Sequence, residues 1–258
     1  MTTLLDLERY MELLHDEAEL LARALETEQF TAPIDACSGW SLADLGYHVG
    51  DVVRFWSWVV TTGATTTDGE PEFPRPPDAE LAHWLRVGVR DLIGQLRRAD
   101  PTAPAYSWTP QQDVAFVQRR VPHEVAVHRW DAEHAVRTLT GAEPRPIESD
   151  LAIDGISEYF LLASSFPVEQ SAVAGTIALR CTDSKGCTDS KATWTAWLSD
   201  SRIQALQADT RDASVAISGA ASDLLLTLWR RLPLSSDRVT VSGDVEFAQQ
   251  FLSWANLA

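Results

Sequence analysis

The chain has 258 residues, of which 45% are hydrophobic, enough to bury one large core or two moderate ones. Its formal charge of −16 repels phosphate backbones and anionic lipid, which excludes nucleic acid and membrane surfaces as expected partners. No apolar run is long enough to cross a bilayer, the first residues lack the basic head and apolar stretch of an export signal, and three cysteines are too few for a disulfide scaffold, so a reducing, cytoplasmic setting is expected.

Apolar residues recur at helical spacing over 3–26 (Leu4, Leu7, Met11, Leu14, Leu20, Leu21), which predicts a first amphipathic helix. Pro33 and the Cys37-Ser-Gly segment break the pattern. Ser41, after Trp40, is a good N-cap for a second helix running to about residue 62, and Asp44 is placed to complete a capping box. This helix carries Tyr47, His48, Val52 and Phe55. A polar Pro/Gly loop over 63–77 precedes a third helix at 78–98, and a loop with Pro101, Pro104 and Pro110 leads into a fourth at 113–139, stopped by Gly141. Pro122 lies inside the fourth helix and predicts a kink.

Four long helices joined by loops predict an N-terminal four-helix bundle. A further helix at 149–166 is grouped with it, giving a first domain of 1–166 and a second of 167–258. From about residue 172 the period changes, and 176–180, 192–198 and 213–218 alternate as half-buried strands do. A helix at 222–231, a short strand at 239–241 and a closing helix at 245–255 complete a small α+β domain. Cys181-Thr-Asp-Ser-Lys recurs once, from Cys187, and reads as a lengthened hairpin loop whose thiols are solvated.

The most informative segment is Arg119-Arg-Val-Pro-His-Glu-Val-Ala-Val-His-Arg-Trp-Asp131. On a helix Glu124 and His128 are one turn apart and Asp131 follows three residues later, so all three share a face. A carboxylate and an imidazole at this spacing chelate a divalent cation, and zinc accepts the mixture. His48, on the apolar side of the second helix, is the natural donor from a neighbouring element. The same residues also read as a surface Glu–His pair and a core histidine, since the spacing recurs by chance. His123 and His134 fall on other faces, and His15 and His83 have no paired ligand nearby; all four are expected to be non-ligands, His123 entering only if Pro122 distorts the helix.

Trp40-Ser-Leu-Ala-Asp-Leu-Gly-Tyr-His48, the Arg119–Asp131 segment, and Ile217-Ser-Gly-Ala-Ala-Ser-Asp-Leu-Leu-Leu-Thr-Leu-Trp-Arg-Arg231 ahead of Val241-Ser-Gly-Asp244 resemble the mycothiol-dependent maleylpyruvate isomerase family, in that family's order and over nearly the whole chain. The resemblance implies an α + (α+β) architecture, a DinB-like four-helix bundle followed by a small sterol-carrier-like domain. It also implies zinc, or another divalent metal, held by His48, Glu124 and His128, with a fourth position open to water or a thiolate. Mycothiol would be the thiol cosubstrate and a small electrophile its partner.

An arginine of the second domain is then expected to bind an anionic group. Arg231 matches the recurring position better than Arg230, and Arg238 is a further candidate; the plainer role for Arg230 and Arg231 is a favourable place at a helix C-terminus. Asp131 would orient a metal-bound histidine through its far nitrogen, or is a solvated carboxylate. The ten tryptophans read mainly as core and interdomain packing; Trp40, Trp56 and Trp130, near the ligands in sequence, would also wall the pocket, with Trp40 meeting the cofactor. The expected activity is a metal- and mycothiol-dependent isomerase or S-transferase; the alternatives are a zinc-water hydrolase or lyase, and a non-catalytic metal- or ligand-binding regulator. Substrate, native metal and oligomeric state are left open.

Overall fold

Asp6 opens the first helix, α1 (Leu7–Leu25), by accepting the backbone N–H of Arg9, which satisfies one of the donors a helix start leaves open. The fold is that of a computed structural model describing residues 5–168, 175–182, 192–199, 201–209 and 212–254. Ser41 opens α2 (Leu42–Thr62) with a complete capping box, its hydroxyl accepting from the Asp44 N–H while the Asp44 carboxylate accepts from the Ser41 N–H. Hydrogen bonds from Ser41, and then from the Arg75 guanidinium, hold the Asp44 carboxyl down to about 2, so this cap stays ionised through ordinary acidic conditions.

A third helix, α3 (Leu81–Leu96), and a fourth, α4 (Val114–Thr140), complete the bundle. Gly63 and Gly141 end α2 and α4 in the left-handed conformation their lack of a Cβ permits. Pro122 leaves α4 an unbroken helix.

Within this unit α1 packs on α3 and α4, and α2 packs on the same two helices. Leu14, Leu21, Leu45, Val49, Val53, Leu85, Leu92, Val121 and Val125 are fully enclosed, each side chain contributing about 1.5–3 kcal/mol by leaving water. At Gly50 the Trp84 ring lies so close to the α2 backbone that an added Cβ would fall 2.2 Å from it. Arg54 then stacks 3.6 Å over the same ring and donates to the carbonyls of Gly50 and Trp84. These contacts set α2 against α3.

Between α1 and α4 a charge does the fastening. Arg129 is fully buried, and its guanidinium meets the Glu17 carboxylate of α1, Glu133 at 3.0 Å and the carbonyls of Arg145 and Pro146.

The second unit begins at Glu148. It holds α5 (Ser149–Ser165), β1 (Thr176–Cys181), β2 (Thr193–Ser199), β3 (Arg202–Leu206), β4 (Val215–Gly219), α6 (Ala221–Leu228), β5 (Val239–Gly243) and α7 (Val245–Trp254). The sheet order is β3-β2-β1-β4-β5, with β1 and β4 parallel and the other pairs antiparallel. The observed division departs from the expected boundary after Phe166: α5 packs on α6 and β3, and Trp194 of β2 donates to Ser157 at 2.9 Å, so the helix belongs with the sheet. The strand β3 falls outside the expected elements: it is five residues long and only Ile203 is buried, so its alternation is too brief to stand out. Cys187, which begins the second copy of the five-residue repeat, lies outside the described residues. Among those residues no helix is long and apolar enough to cross a membrane.

Removing one partner of a buried ion pair strands the other charge in a medium that solvates it poorly, a loss of about 3–5 kcal/mol. Glu17→Ala is therefore expected to lower the urea-unfolding free energy by that amount, with a smaller loss for Glu17→Gln. A change below about 1 kcal/mol for both would mean that Arg129 does not depend on Glu17.

Candidate metal centre

The chain between α1 and α2 is folded back on itself and pinned. Pro33 bridges Ser41, the Ile34 N–H donates to the Trp40 carbonyl at 2.9 Å, and a turn returns the Trp40 N–H to the Cys37 carbonyl at 3.0 Å, with Gly39 supplying the left-handed residue the turn requires. This loop lays Trp40 against the His48 ring, centroids 4.8 Å apart, and brings Asp35 within 3.3 Å of His134 Nε2.

His48 projects from the second turn of α2 towards α4. Its Nε2 is 3.5 Å from Glu124 Oε1, and His128 Nε2 approaches the same oxygen at 3.2 Å. The two imidazoles meet edge to face, 5.2 Å apart. All three donor atoms lie within 4.8 Å of one another. Burial, then the neighbouring His128, push the His48 pKa down to about 4, against a smaller opposing pull from Asp51. At neutral pH this ring is uncharged and offers a lone pair.

Three ligands bound to one tetrahedral zinc at ~2.0–2.2 Å stand about 3.3 Å apart. The separations of 3.2 and 3.5 Å about Glu124 Oε1 match that spacing without rearrangement. The donor set therefore fits a divalent cation, with two imidazole nitrogens and one carboxylate oxygen.

Each of these groups is held from behind. Glu124 gives its other oxygen, Oε2, to the buried guanidinium of Arg120, so Oε1 is the one left facing the imidazoles. On the far side of His128, Nδ1 lies 3.1 Å from Asp131 Oδ2, whose side chain is 1% exposed. Were Nε2 to ligate a cation, the ring proton would sit on Nδ1 and be donated to Asp131, fixing tautomer and orientation together.

The structure thus brings Trp40, His48, Glu124, His128 and Asp131 to one place. Trp56 instead joins an aromatic cluster with Trp108 and Phe116, and Trp130 stacks on His134, so of the three tryptophans Trp40 is the one in ring contact with a candidate ligand. His123 packs edge to face on Tyr10, and neither ligand group among the described residues includes His15, His83, His123 or His134. Arg231 belongs to the second unit, just past α6, where its guanidinium donates to the Trp229 carbonyl at 2.9 Å; Arg238 pairs with Asp223 at 2.5 Å.

Two neighbours of the cluster were missed from the sequence. Arg120 stands four residues before Glu124, a helical ion-pair spacing that was there to be read. Cys37 reaches His128 and Asp131 across a loop-to-helix contact, which no sequence period announces.

The untagged protein is expected to bind about one equivalent of zinc, or nickel after exposure to it, since imidazole and carboxylate discriminate poorly between the two. His48→Ala and His128→Ala should each remove most of that metal. Glu124→Gln should weaken it with the fold intact, and Asp131→Ala should cost about tenfold in affinity. Retained stoichiometry in both histidine variants, by elemental analysis and chelator competition, would place the metal elsewhere.

Residues 11–133 match the model of the mycothiol maleylpyruvate isomerase N-terminal domain, and residues 167–255 match that of the SCP-2 sterol transfer family. Among solved structures, a mycothiol-dependent maleylpyruvate isomerase and a histidine-to-alanine mutant of it each resemble this chain with a TM-score of 0.60, at 17% and 16% identity, over 92% of this chain and 93% of theirs. At this identity the likeness establishes the fold. A sequence search of curated proteins yields no match. The bundle is thus matched by the mycothiol maleylpyruvate isomerase N-terminal domain over residues 11–133, and the mixed α/β unit by the SCP-2 sterol transfer family over 167–255.

Proposed function

We propose that this protein is a metal- and thiol-dependent enzyme, an isomerase or S-transferase that uses mycothiol on a small electrophile. The observation that carries the reading is the convergence of His48, Glu124 and His128 at the spacing of a single tetrahedral ion, on helices of a fold shared with a mycothiol-dependent maleylpyruvate isomerase. A zinc ion held there by three protein ligands would keep one position for an exogenous thiol and favour its thiolate at neutral pH.

The chain's own residues have distinct parts in this. His48 and His128 bring imidazole nitrogens, the first kept neutral by burial. Glu124 brings one negative charge, limiting the net positive charge the site presents, and Arg120 keeps the carboxylate from turning its second oxygen inward. Asp131 steadies His128 through Nδ1. Trp40 packs on His48 and limits the ring's freedom to swing. Arg231, which matches the family's recurring position, is our choice for the group that binds an anion on the thiol or the electrophile, with Arg238 a further candidate.

The thiolate sulfur would add to an electrophilic carbon, forming a C–S bond and moving the π electrons onto the substrate. Rotation about the new single bond, return of those electrons and departure of the thiolate yield an isomer and regenerate the thiol. Retention of the C–S bond with uptake of a proton yields a transfer product. A part-exposed site, with His48 one third exposed at the side chain, leaves room for such a substrate to approach.

Mycothiol binding to the zinc-loaded chain, measured by calorimetry, should fall to near the detection limit in His128→Ala, and Arg231→Ala should weaken it by roughly 1.5–3 kcal/mol through the lost charge-assisted hydrogen bond. If the zinc-loaded protein binds neither mycothiol nor a comparable thiol at millimolar concentration, the reading fails. Turnover that needs no thiol would indicate a hydrolase or lyase instead.

A further inference from the structure

Cys37 has no part in the function proposed above, yet its sulfur lies within 4.8 Å of a ring nitrogen of His128 and a carboxylate oxygen of Asp131. The three come from two elements. His128 and Asp131 are presented by α4 at i and i+3, whereas Cys37 is delivered by the loop ahead of α2. That loop is not free to sweep, because the Pro33–Ser41 bridge, the Ile34–Trp40 bond and the turn from Cys37 to Trp40 fix it at both ends. Asp35 also ties it to His134 of α4.

We propose that Cys37, Asp131 and the Nδ1 side of His128 form a second cation site, selective for thiophilic ions, set back to back with the first across one imidazole ring. Glu124 and His48 face Nε2 of that ring, and Asp131 faces Nδ1, so the two donor sets use opposite nitrogens. The two sets also differ in chemistry. The first offers nitrogen and carboxylate only; the second adds a sulfur, which shifts preference towards soft ions such as cadmium or copper(I). A carboxylate with 1% of its side chain exposed, beside a thiol and an imidazole, is an environment in which a cation repays its own desolvation. A chain of net charge −16 also favours cation uptake in general.

Binding releases the Cys37 thiol proton and the Nδ1 proton of His128 to solvent, and forms bonds from the ion to sulfur, nitrogen and the Asp131 oxygen. With both ring nitrogens then engaged, the hydrogen bond from His128 to Asp131 is lost. An ion bound at this second site is therefore expected to alter the first site as well.

The test is a titration of the metal-stripped full chain with cadmium alone, following the ultraviolet sulfur-to-cadmium charge-transfer band together with stoichiometry by calorimetry. Wild-type protein should take up two ions and show the band. Cys37→Ser should lose the band and one ion while keeping the other, which also shows that the variant is folded. His48→Ala should lose one ion and keep the band, and Asp131→Asn should weaken the band-forming step by more than the about tenfold it costs the first ion. The proposal is overturned if wild-type protein shows no band. It is also overturned if the band survives in Cys37→Ser, because another cysteine is then its source, or if it disappears in His48→Ala, because Cys37 then joins the first ion. If wild-type protein takes up a single ion with the band, and His48→Ala changes neither, the first site fails and the second stands.

Discussion

A guanidinium buried to its last atom fixes where α4 can be. Arg129 follows His128 directly, and its contacts with Glu17, Glu133 and the carbonyls of Arg145 and Pro146 would all be broken by rotating or sliding the helix. Exposing such a charge to an apolar surrounding without its partners costs several kcal/mol. The rotation of α4 is thereby set next to the residue that matters most. From it the 3.6-residue period carries Arg120, Glu124, His128 and Asp131 along one stripe. On the opposite helix, Gly50 and the Trp84–Arg54 stack hold α2 in place, and with it His48. The donor spacing is the product of these two placements.

Within the cluster no polar group serves alone. Glu124 divides its oxygens between Arg120 and the imidazoles, and His128 divides its nitrogens between Glu124 and Asp131. Charge is balanced in the same way: one guanidinium offsets one carboxylate, and burial keeps His48 from adding a further cation at neutral pH. An incoming ion meets groups already oriented, so little rotamer freedom remains to be lost on binding. The same economy gives Cys37 its interest, since it faces a ring whose other edge is already engaged.

Much of this was legible in the residues themselves. The bundle helices follow from apolar spacing and from caps, Ser41 with Asp44 above all, and Glu124 and His128 follow from being one turn apart. His48 followed from its place on the apolar side of the second helix, and the resemblance to a known family favoured a metal over a chance spacing. The misses share a cause. A helical period says which face is buried but not what covers it, so α5 was grouped with the bundle although it packs on α6 and β3. β3 is short, with one buried residue, and its place comes from pairing with β2. Cys37 lies far from α4 in sequence, and only the folded loop between Pro33 and Ser41 delivers it.

The central claim is that His48, Glu124 and His128 hold one metal whose remaining position takes a thiol. X-ray absorption at the zinc edge, on full-length protein carrying one zinc per chain, tests this most directly. Before thiol is added the spectrum should show nitrogen and oxygen neighbours only, with the outer-shell pattern of two imidazoles; saturating mycothiol should add one sulfur at about 2.3 Å. A sulfur neighbour before thiol is added, none after it, or the absence of imidazole from the coordination shell would contradict the account.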